Sequence, residues 1–250
     1  MLSIDLNCDL GEGMNIEEAI MPFISSANIA CGYHAGDHHT MKRTVEWAIQ
    51  HEVAVGAHPS FPDRANFGRT ELTLEPAEIF QIVFDQLRIF SEITRHAGCK
   101  ITHVKPHGAL YNLAAKDKVV AASIVGAIKE FNAGLLLFGL AGSHLIDEAK
   151  NAGLRAVPEA FIDRTYQDDG SLIPRSQEGA LINDLNNSIE QTLNIIQEGK
   201  VKSLNGKIIP MRAETICIHG DGPIAVQLAR QIHEELAAKG IKIQPPGSNH

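Results

Sequence analysis

The feature that most constrains the fold of this chain is a repeated alternation between short apolar runs and longer stretches of helical period. Seven such runs mix β-branched and small residues, a pattern typical of strands that are buried on both faces of a parallel sheet. They cover residues 3–9, 27–31, 54–58, 101–107, 135–140, 155–162 and 214–219. Because parallel β-α crossovers are right-handed, two architectures remain, a closed barrel and an open doubly wound sheet.

The stretches between the runs carry apolar stripes at three- and four-residue steps. The clearest stripes run through residues 79–90, 182–196 and 224–236, and they predict helices that pack on the outside of the sheet. Residues 199–211 interrupt the alternation. We therefore expect a loop or a hairpin inserted before the last strand.

Composition narrows the class of protein further. The 250 residues are 44% hydrophobic and 21% charged, as in soluble globular proteins, and we expect one domain over residues 1–250 with a frayed tail at 244–250. The net charge of −8 and the lack of a basic run argue against nucleic-acid binding. No apolar stretch approaches the roughly 20 residues that span a bilayer, and no signal peptide is visible. A cytoplasmic protein without a membrane partner is therefore expected.

Ionisable and amide side chains cluster where the predicted strands end. In parallel α/β folds these ends share one edge, where active sites are built, and buried charge is costly unless it is used. The pattern predicts an active site at this edge. Its residues are Asn7, Asp9, Glu12, His34, Asp37, His58, Lys105, His107, Glu159, Asp163, Arg164, His219 and Asp221.

Two kinds of chemistry fit this set of side chains. Asp9, His58 and His107 follow three different strands, and carboxylate with imidazole is a donor set that binds zinc or manganese. A histidine paired with a carboxylate can instead shuttle a proton, with Asp9, Glu12, Asp37 and Asp221 as candidate partners. Simple hydrogen bonding of some of these histidines is the remaining alternative.

Positive side chains near the same strand ends are candidates for binding an anion. Lys105 lies inside an apolar run, so it is either desolvated and catalytic or paired with an anion. Arg164 and Arg175 occupy the long polar segment 163–177, which is typical of a substrate lid, and arginine grips carboxylates bidentately. The sequence contains neither a P-loop for ATP nor the G-x-S-x-G motif of a serine hydrolase.

The strand-end segments resemble the LamB/YcsF family, and the resemblance spans about residues 3–243. It implies a distorted, TIM-barrel-like (β/α) barrel of the glycoside hydrolase/deacetylase type. The matching segments are DLNCDLGE at 5–12, NIACGYHAGD at 28–37, GAHPS at 56–60, VKPHGALY at 104–111, EAF at 159–161, DR at 163–164, Tyr166, residues 169–175 and IHGD at 218–221.

The resemblance also implies an activity and its partners. The activity is that of a 5-oxoprolinase, the ATP-dependent opening of the lactam of 5-oxo-L-proline to L-glutamate. The chain would be the first component of a three-component enzyme, and subunits B and C would be its partners. ATP contacts would then be shared with those partners, in agreement with the missing P-loop. Phosphorylation of the carbonyl oxygen would supply a good leaving group from a resonance-stabilised amide.

The strand-end pattern and the resemblance together give the expected residue roles. Asp9, Glu12, Asp37, Lys105 and His107 are expected to be catalytic. The residues expected to bind the substrate are Asn7, His34, Lys105, Arg164, Arg175 and His219, and a divalent metal, if bound, would be held by Asp9, His58 and His107. Lys105 is expected to lack a partner in the free protein, so its replacement by methionine should preserve or raise stability.

Two other classes of function stay open. A stand-alone, metal-dependent carbohydrate or amide deacetylase would share the barrel and the Asp/His set, and it would differ in metal content and in activity without ATP. A non-catalytic binding subunit is the second alternative. The density of ionisable residues at the predicted edge speaks against it, because a binding module needs few such groups.

Overall fold

The computed structural model describes residues 2–220 and 224–248, and its centre is a closed parallel β-barrel of seven strands. The described residues form ten strands, of which β1 to β6 and β9 make the barrel. In chain order they are β1 (Ser3–Leu10), β2 (Ser26–Ala30), β3 (Ala54–His58), β4 (His103–Val104), β5 (Leu136–Leu140), β6 (Arg155–Phe161), β7 (Lys200–Lys202), β8 (Ile208–Pro210), β9 (Thr215–Ile218) and β10 (Lys242–Ile243). Strands β1 to β6 pair in sequence, and β9 pairs with both β6 and β1. The open doubly wound sheet is thereby excluded.

All seven predicted runs form strands of this barrel, although β4 keeps only two residues of the run 101–107. The ladder ends early because Pro106 has no N–H to donate. The backbone N–H of Lys105 still bonds the carbonyl of Ala57 at 3.0 Å, so the run stays beside β3. The predicted insertion at 199–211 is the antiparallel hairpin of β7 and β8.

Helices surround the barrel, as the apolar stripes predict. They are α1 (Glu17–Ile20), α2 (His38–Gln50), α3 (Pro76–His96), α4 (Gly108–Lys116), α5 (Lys118–Asn132), α6 (His144–Asn151), α7 (Leu185–Leu193) and α8 (Ala225–Ala238). The stripe expected from residue 182 begins later, because Asp184 caps α7 and accepts a hydrogen bond from the N–H of Asn187. None of these helices has the length and hydropathy needed to cross a lipid bilayer, within the described residues.

Polar side chains occupy part of the barrel interior near the closure between β1 and β9. Asp5 is buried and accepts hydrogen bonds from the hydroxyls of Ser25, Ser26 and Thr215. Burial raises the pKa of Asp5 to about 6, against the lowering effect of these hydroxyls. The network therefore ties the first strand to β2 and to β9.

The far end of the chain also contacts the first strand. Strand β10 pairs in parallel with β1, and the N–H of Gln244 bonds the carbonyl of Ile4 at 3.1 Å. The segment expected to fray thus begins with a residue that is hydrogen-bonded to the barrel. Residues 249 and 250, at its end, lie outside the described part of the chain.

Candidate active site

A cavity of about 770 Å³ opens at the carboxyl ends of the barrel strands. Side chains at or just after the carboxyl ends of five strands line this cavity. This agrees with the expectation that these side chains share one edge of the sheet. They are Asp9, Glu12, His58, Lys105, His107, Arg164 and His219. Asp221, which the same pattern placed after the last strand, lies outside the described residues.

Lys105 lies at the floor of the cavity between two carboxylates. Its ammonium donates to Asp9 Oδ1 at 2.9 Å and contacts Glu159 Oε1 at 2.8 Å. Burial alone would lower the pKa of Lys105, but the neighbouring carboxylates, Asp9 first, raise it well above its usual value. The expectation that Lys105 lacks a partner in the free protein is therefore wrong.

Asp9 presents its two carboxylate oxygens to different partners. Oδ1 accepts hydrogen bonds from Lys105 and, at 2.8 Å, from Asn28 Nδ2, whereas Oδ2 lies 3.5 Å from His58 Nε2. Burial would raise the pKa of Asp9, but His58 and Lys105 lower it well below its usual value. Asp9 is therefore an ionised group on the wall of the cavity at neutral pH.

Three histidines and Glu12 form a compact cluster beside Asp9. Glu12 Oε1 lies 3.1 Å from His34 Nε2, 3.4 Å from His107 Nδ1 and 3.8 Å from His58 Nε2. The rings of His34 and His107 stack at 3.8 Å, and His107 Nδ1 lies 3.0 Å from His58 Nε2. One ligand atom from each residue falls within 4.8 Å of the others, so this set can hold a metal ion.

The segment after β3 fixes the orientation of His107. Phe67 has a φ of 57°, a left-handed conformation that is strained for a bulky residue, and its carbonyl accepts a hydrogen bond from His107 Nε2 at 2.9 Å. Its ring packs edge-on against both His34 and His107. At Gly68 a Cβ atom would meet the Cβ of His34 at 2.9 Å, so only glycine allows this approach.

A second histidine and carboxylate pair reaches the same cavity through His219. His219 Nδ1 is 2.8 Å and 2.9 Å from the two carboxylate oxygens of Asp163, which leaves Nε2 available to the cavity. Burial would raise the pKa of Asp163, but His219 first, then Arg175 and Arg164, lower it. A ring nitrogen of His219 and an oxygen of Asp9 lie within 4.8 Å of each other. Both can therefore contact one bound group.

The two candidate arginines differ in what they contact. Arg164 is buried, and its guanidinium donates to the carbonyls of Ile173 and Ala180, so it holds the segment after β6 in place. Burial, and then the charge of Arg175, lower the pKa of Arg164 to about 10. Arg175 is half-buried on the cavity wall. The charge that these two residues place at the cavity favours an anionic ligand.

Asn7 and His34 lie deeper than a substrate-binding role suggests. Both side chains are buried, and neither lines the cavity. Asn7 donates to Glu159 at 2.9 Å and accepts from Asn28 at 2.7 Å, so its amide connects the residues around Lys105. His34 belongs to the cluster with Glu12 instead.

Asp37 is exposed and caps α2, its carboxylate accepting a hydrogen bond from the N–H of Thr40 at 2.8 Å. Asp37→Asn is therefore expected to keep turnover within about twofold and stability unchanged, because asparagine caps as well as aspartate. Asp37→Ala should cost about 1 kcal/mol of stability with little change in turnover. Steady-state kinetics and thermal melts check both variants. A loss of turnover in Asp37→Asn would restore the catalytic role expected from the sequence.

Several residues of the site have contacts that were not expected from the sequence. Glu159 is fully buried beside Lys105, Tyr111 donates to it at 2.7 Å, and His103 bonds Asn28 at 2.8 Å. The signal that could have found them is the position of Asn28 and His103 inside apolar runs. A polar side chain inside a strand that is buried on both faces must find a partner within the barrel.

Buried neutral histidines predict a loss of stability in acid. Burial lowers the pKa of His34 to about 2, that of His103 to about 3, and that of His107 well below its usual value. Below pH 6.5 the unfolded chain binds these protons and the folded chain does not, so each histidine costs about 1.4 kcal/mol per pH unit. Asp5, whose pKa is raised to about 6, and His58, whose pKa its neighbours Asp9 and Glu12 raise against the effect of burial, keep protons in the folded state and offset part of this cost.

We expect the free energy of unfolding to fall by about 2 kcal/mol between pH 6.5 and pH 5.5. Urea titrations at several pH values measure this, with a chelator present so that no metal ion competes with protons. His103→Gln keeps the hydrogen bond to Asn28. In this variant the number of protons taken up on unfolding, read from the slope of the free energy of unfolding against pH, should fall by about one. An unchanged slope in that variant would mean that His103 does not stay neutral in the fold.

Comparison with known proteins places these features in a family. A sequence model of the LamB/YcsF family matches residues 4–250. Among solved structures, the chain is similar to the lactam utilization protein from Thermus thermophilus, with 41% identity and a TM-score of 0.91. The match covers 97% of this chain and 99% of that chain.

More distant structures share the fold alone. The family 4 carbohydrate esterase from Streptomyces lividans matches at 11% identity with a TM-score of 0.53, covering 96% of this chain and 91% of that chain. A peptidoglycan deacetylase from Bacillus subtilis matches at 13% identity with a TM-score of 0.50, covering 97% and 87%. These matches confirm the TIM-barrel-like fold of deacetylase type expected from the sequence.

Proposed function

Because this chain belongs to the LamB/YcsF family, we propose that it hydrolyses the amide bond of a lactam and that this lactam is 5-oxo-L-proline. The full-length similarity to a lactam utilization protein supports the substrate class. One observation carries the proposal. The ionised Asp9 and His219, which Asp163 holds by a hydrogen bond, line the same cavity. Lactam opening needs a group that accepts a proton from water and a group that donates one to nitrogen.

Asp9 and His219 are suited to these two roles. Asp9 lines the cavity and stays ionised at neutral pH, so its Oδ2 is available to orient the attacking water and to accept its proton. Asp163 holds His219 through Nδ1, so that Nε2 can give a proton to the lactam nitrogen as the C–N bond breaks. Lys105 and Glu159 keep Asp9 in place through the ion pair beneath it.

The substrate carboxylate needs local positive charge, since the net charge of −8 repels an anion at long range. Arg175 is the best placed candidate, because it lines the cavity and its charge helps to lower the pKa of Asp163. Arg164 supports it by holding the segment between them. Lys105 is less suited to this task, because two carboxylates of the protein already bind its ammonium.

ATP coupling belongs to the same proposal. The amide of a five-membered lactam is resonance-stabilised. Phosphorylation of its carbonyl oxygen by ATP, with release of ADP, activates the carbonyl carbon toward water. Cleavage of the C–N bond then leaves an acyl phosphate, from which a second water releases phosphate and L-glutamate. The chain has no P-loop, so we assign ATP binding to a complex with subunits B and C, which would be cytoplasmic. In that complex this chain contributes the cavity in which the ring opens.

The test is a coupled assay that follows L-glutamate and ADP formation from 5-oxoproline and ATP. The chain alone is compared with the chain plus subunits B and C. We expect glutamate only from the complete mixture, and a loss of about 10²–10⁴ in rate with His219→Gln. A parallel reaction with an N-acetylated amino sugar and no ATP is the control. Deacetylation there, without lactam opening, would replace the proposal with the deacetylase alternative.

A further inference from the structure

We propose that Glu12, His34, His58 and His107 together bind one zinc ion, and that Asp9 stays outside its coordination shell. This donor set differs from the set expected from the sequence, because Glu12 and His34 replace Asp9. The inference concerns the ligands of the ion alone. A test of these ligands therefore does not depend on which lactam the protein opens.

The spacing of the four donor atoms fits a tetrahedral ion. Ligand distances of about 2.0–2.1 Å in a tetrahedral site place neighbouring donors about 3.3 Å apart. The measured separations of Glu12 Oε1 from the three ring nitrogens are 3.1, 3.4 and 3.8 Å, and the two facing nitrogens of His58 and His107 are 3.0 Å apart. Three imidazoles and one carboxylate are ordinary zinc ligands.

Two rings donate from their outer nitrogens to backbone carbonyls, which turns their other nitrogens toward the cluster. His58 Nδ1 lies 2.7 Å from the carbonyl of Lys105, and His107 Nε2 lies 2.9 Å from the carbonyl of Phe67, so both outer nitrogens carry protons. The inner nitrogens, His58 Nε2 and His107 Nδ1, then face each other at 3.0 Å and share at most one proton. A cation that displaces this proton is coordinated by both nitrogens, and backbone carbonyls commonly orient histidine ligands in this way.

His34 supplies an independent observation. The residue is almost fully buried, and its Nδ1 has no hydrogen-bond partner among the described residues. Burial of a ring with one unsatisfied nitrogen costs free energy, which a bond from its other nitrogen to an ion would offset. That other nitrogen, Nε2, faces Glu12 at 3.1 Å, inside the cluster.

Asp9 is excluded because its Oδ1 is bound by another cation, and because its Oδ2, 3.5 Å from His58 Nε2, is not among the four donor atoms that lie within 4.8 Å of one another. Lys105 Nζ lies 2.9 Å from Asp9 Oδ1 and 3.0 Å from Cys217 Sγ. The alternative group of donors, Asp9 with Cys217 and His219, therefore already surrounds an ammonium. The Nδ1 of His219 is bound to Asp163 as well. When zinc is bound at the first cluster, it supplies a Lewis acid at the cavity wall.

The test measures metal binding directly rather than turnover. Protein stripped with a chelator is titrated with Zn²⁺ by calorimetry, and metal content is measured after dialysis. Co²⁺ is used as a spectroscopic probe, because its visible absorption reports a tetrahedral site. We expect about one equivalent of zinc in the wild-type chain, and a fall of about 100-fold or more in affinity for Glu12→Gln and for His34→Asn. Asp9→Asn should bind zinc within about threefold of wild type.

Each result decides the inference. Asp9→Asn that loses zinc as severely as Glu12→Gln would make Asp9 a ligand and overturn it. Wild-type affinity in Glu12→Gln and His34→Asn, or no binding by the wild-type chain, would overturn it as well. If circular dichroism shows that His34→Asn does not fold, His34→Cys, which retains a zinc donor, is expected to restore binding. A folded His34→Cys protein that binds no zinc would count against the inference.

Discussion

Replacing Lys105 with methionine is expected to lower the free energy of unfolding by about 3–5 kcal/mol. The substitution keeps the apolar stem but leaves Asp9 and Glu159 as buried carboxylates without the ammonium between them. Removing one partner of a buried ion pair leaves the other charge uncompensated, which accounts for a loss of this size. This is the reverse of the expectation drawn from the sequence, which assumed an unpaired lysine. Urea titration of the two proteins measures the difference.

A double variant separates charge from packing at this position. Glu159→Gln in the Lys105→Met background removes one of the two stranded charges and should recover about 1–3 kcal/mol of the loss. Recovery would show that the destabilisation arises from uncompensated carboxylates. Turnover of Lys105→Met should also fall at least tenfold, because Asp9 loses the ammonium that orients its carboxylate. Unchanged stability in Lys105→Met would mean that the ion pair contributes nothing net.

Replacing Asp9 with asparagine is expected to reduce lactam opening by about 10²–10⁴, the range typical of a lost general base. The fold should remain, because Lys105 keeps its contact with Glu159 at 2.8 Å and the asparagine side chain has the same shape. Turnover with 5-oxoproline and ATP in the presence of subunits B and C is the measurement.

The matched control for Asp9 is Asp37→Asn, which makes the same chemical change at an exposed helix cap outside the cavity lining. Loss of turnover in the Asp9 variant alone assigns the effect to the cavity. Activity within threefold of wild type in Asp9→Asn would remove Asp9 from the reaction. Thermal melts of both variants establish that any difference does not arise from unfolding.

The architecture was predictable because it depends on features that are local in sequence. Apolar runs predict strands, and apolar stripes predict helices. Because the carboxyl ends of parallel strands share one edge of a sheet, polar residues at these ends are expected at that edge. The choice between a closed barrel and an open sheet could not be made from these patterns. It depends on whether β9 pairs with β1, and a pairing between distant strands leaves no local mark in the sequence.

Partnerships between side chains were harder to predict than their placement. Asp9, Lys105 and Glu159 come from β1, the turn after β4, and β6, so the ion pair among them depends on how three strands stand in register. The strained turn at Phe67, which orients His107, likewise has no counterpart in hydrophobic periodicity. Residue type predicted which groups can react, whereas register decides which of them meet.

The closure of the barrel through β1 has a consequence for how the protein is made. Asn7 donates a hydrogen bond to Thr215, 208 residues away in the chain, and β1 lies between β2 on one side and the late strands β9 and β10 on the other. At about 5–20 residues per second, a ribosome needs roughly 10–40 s to supply those partners. For that interval β1 has one unpaired edge, which is a template for pairing with another nascent chain. The first strand to be synthesised therefore keeps an unpaired edge until β9 has been made.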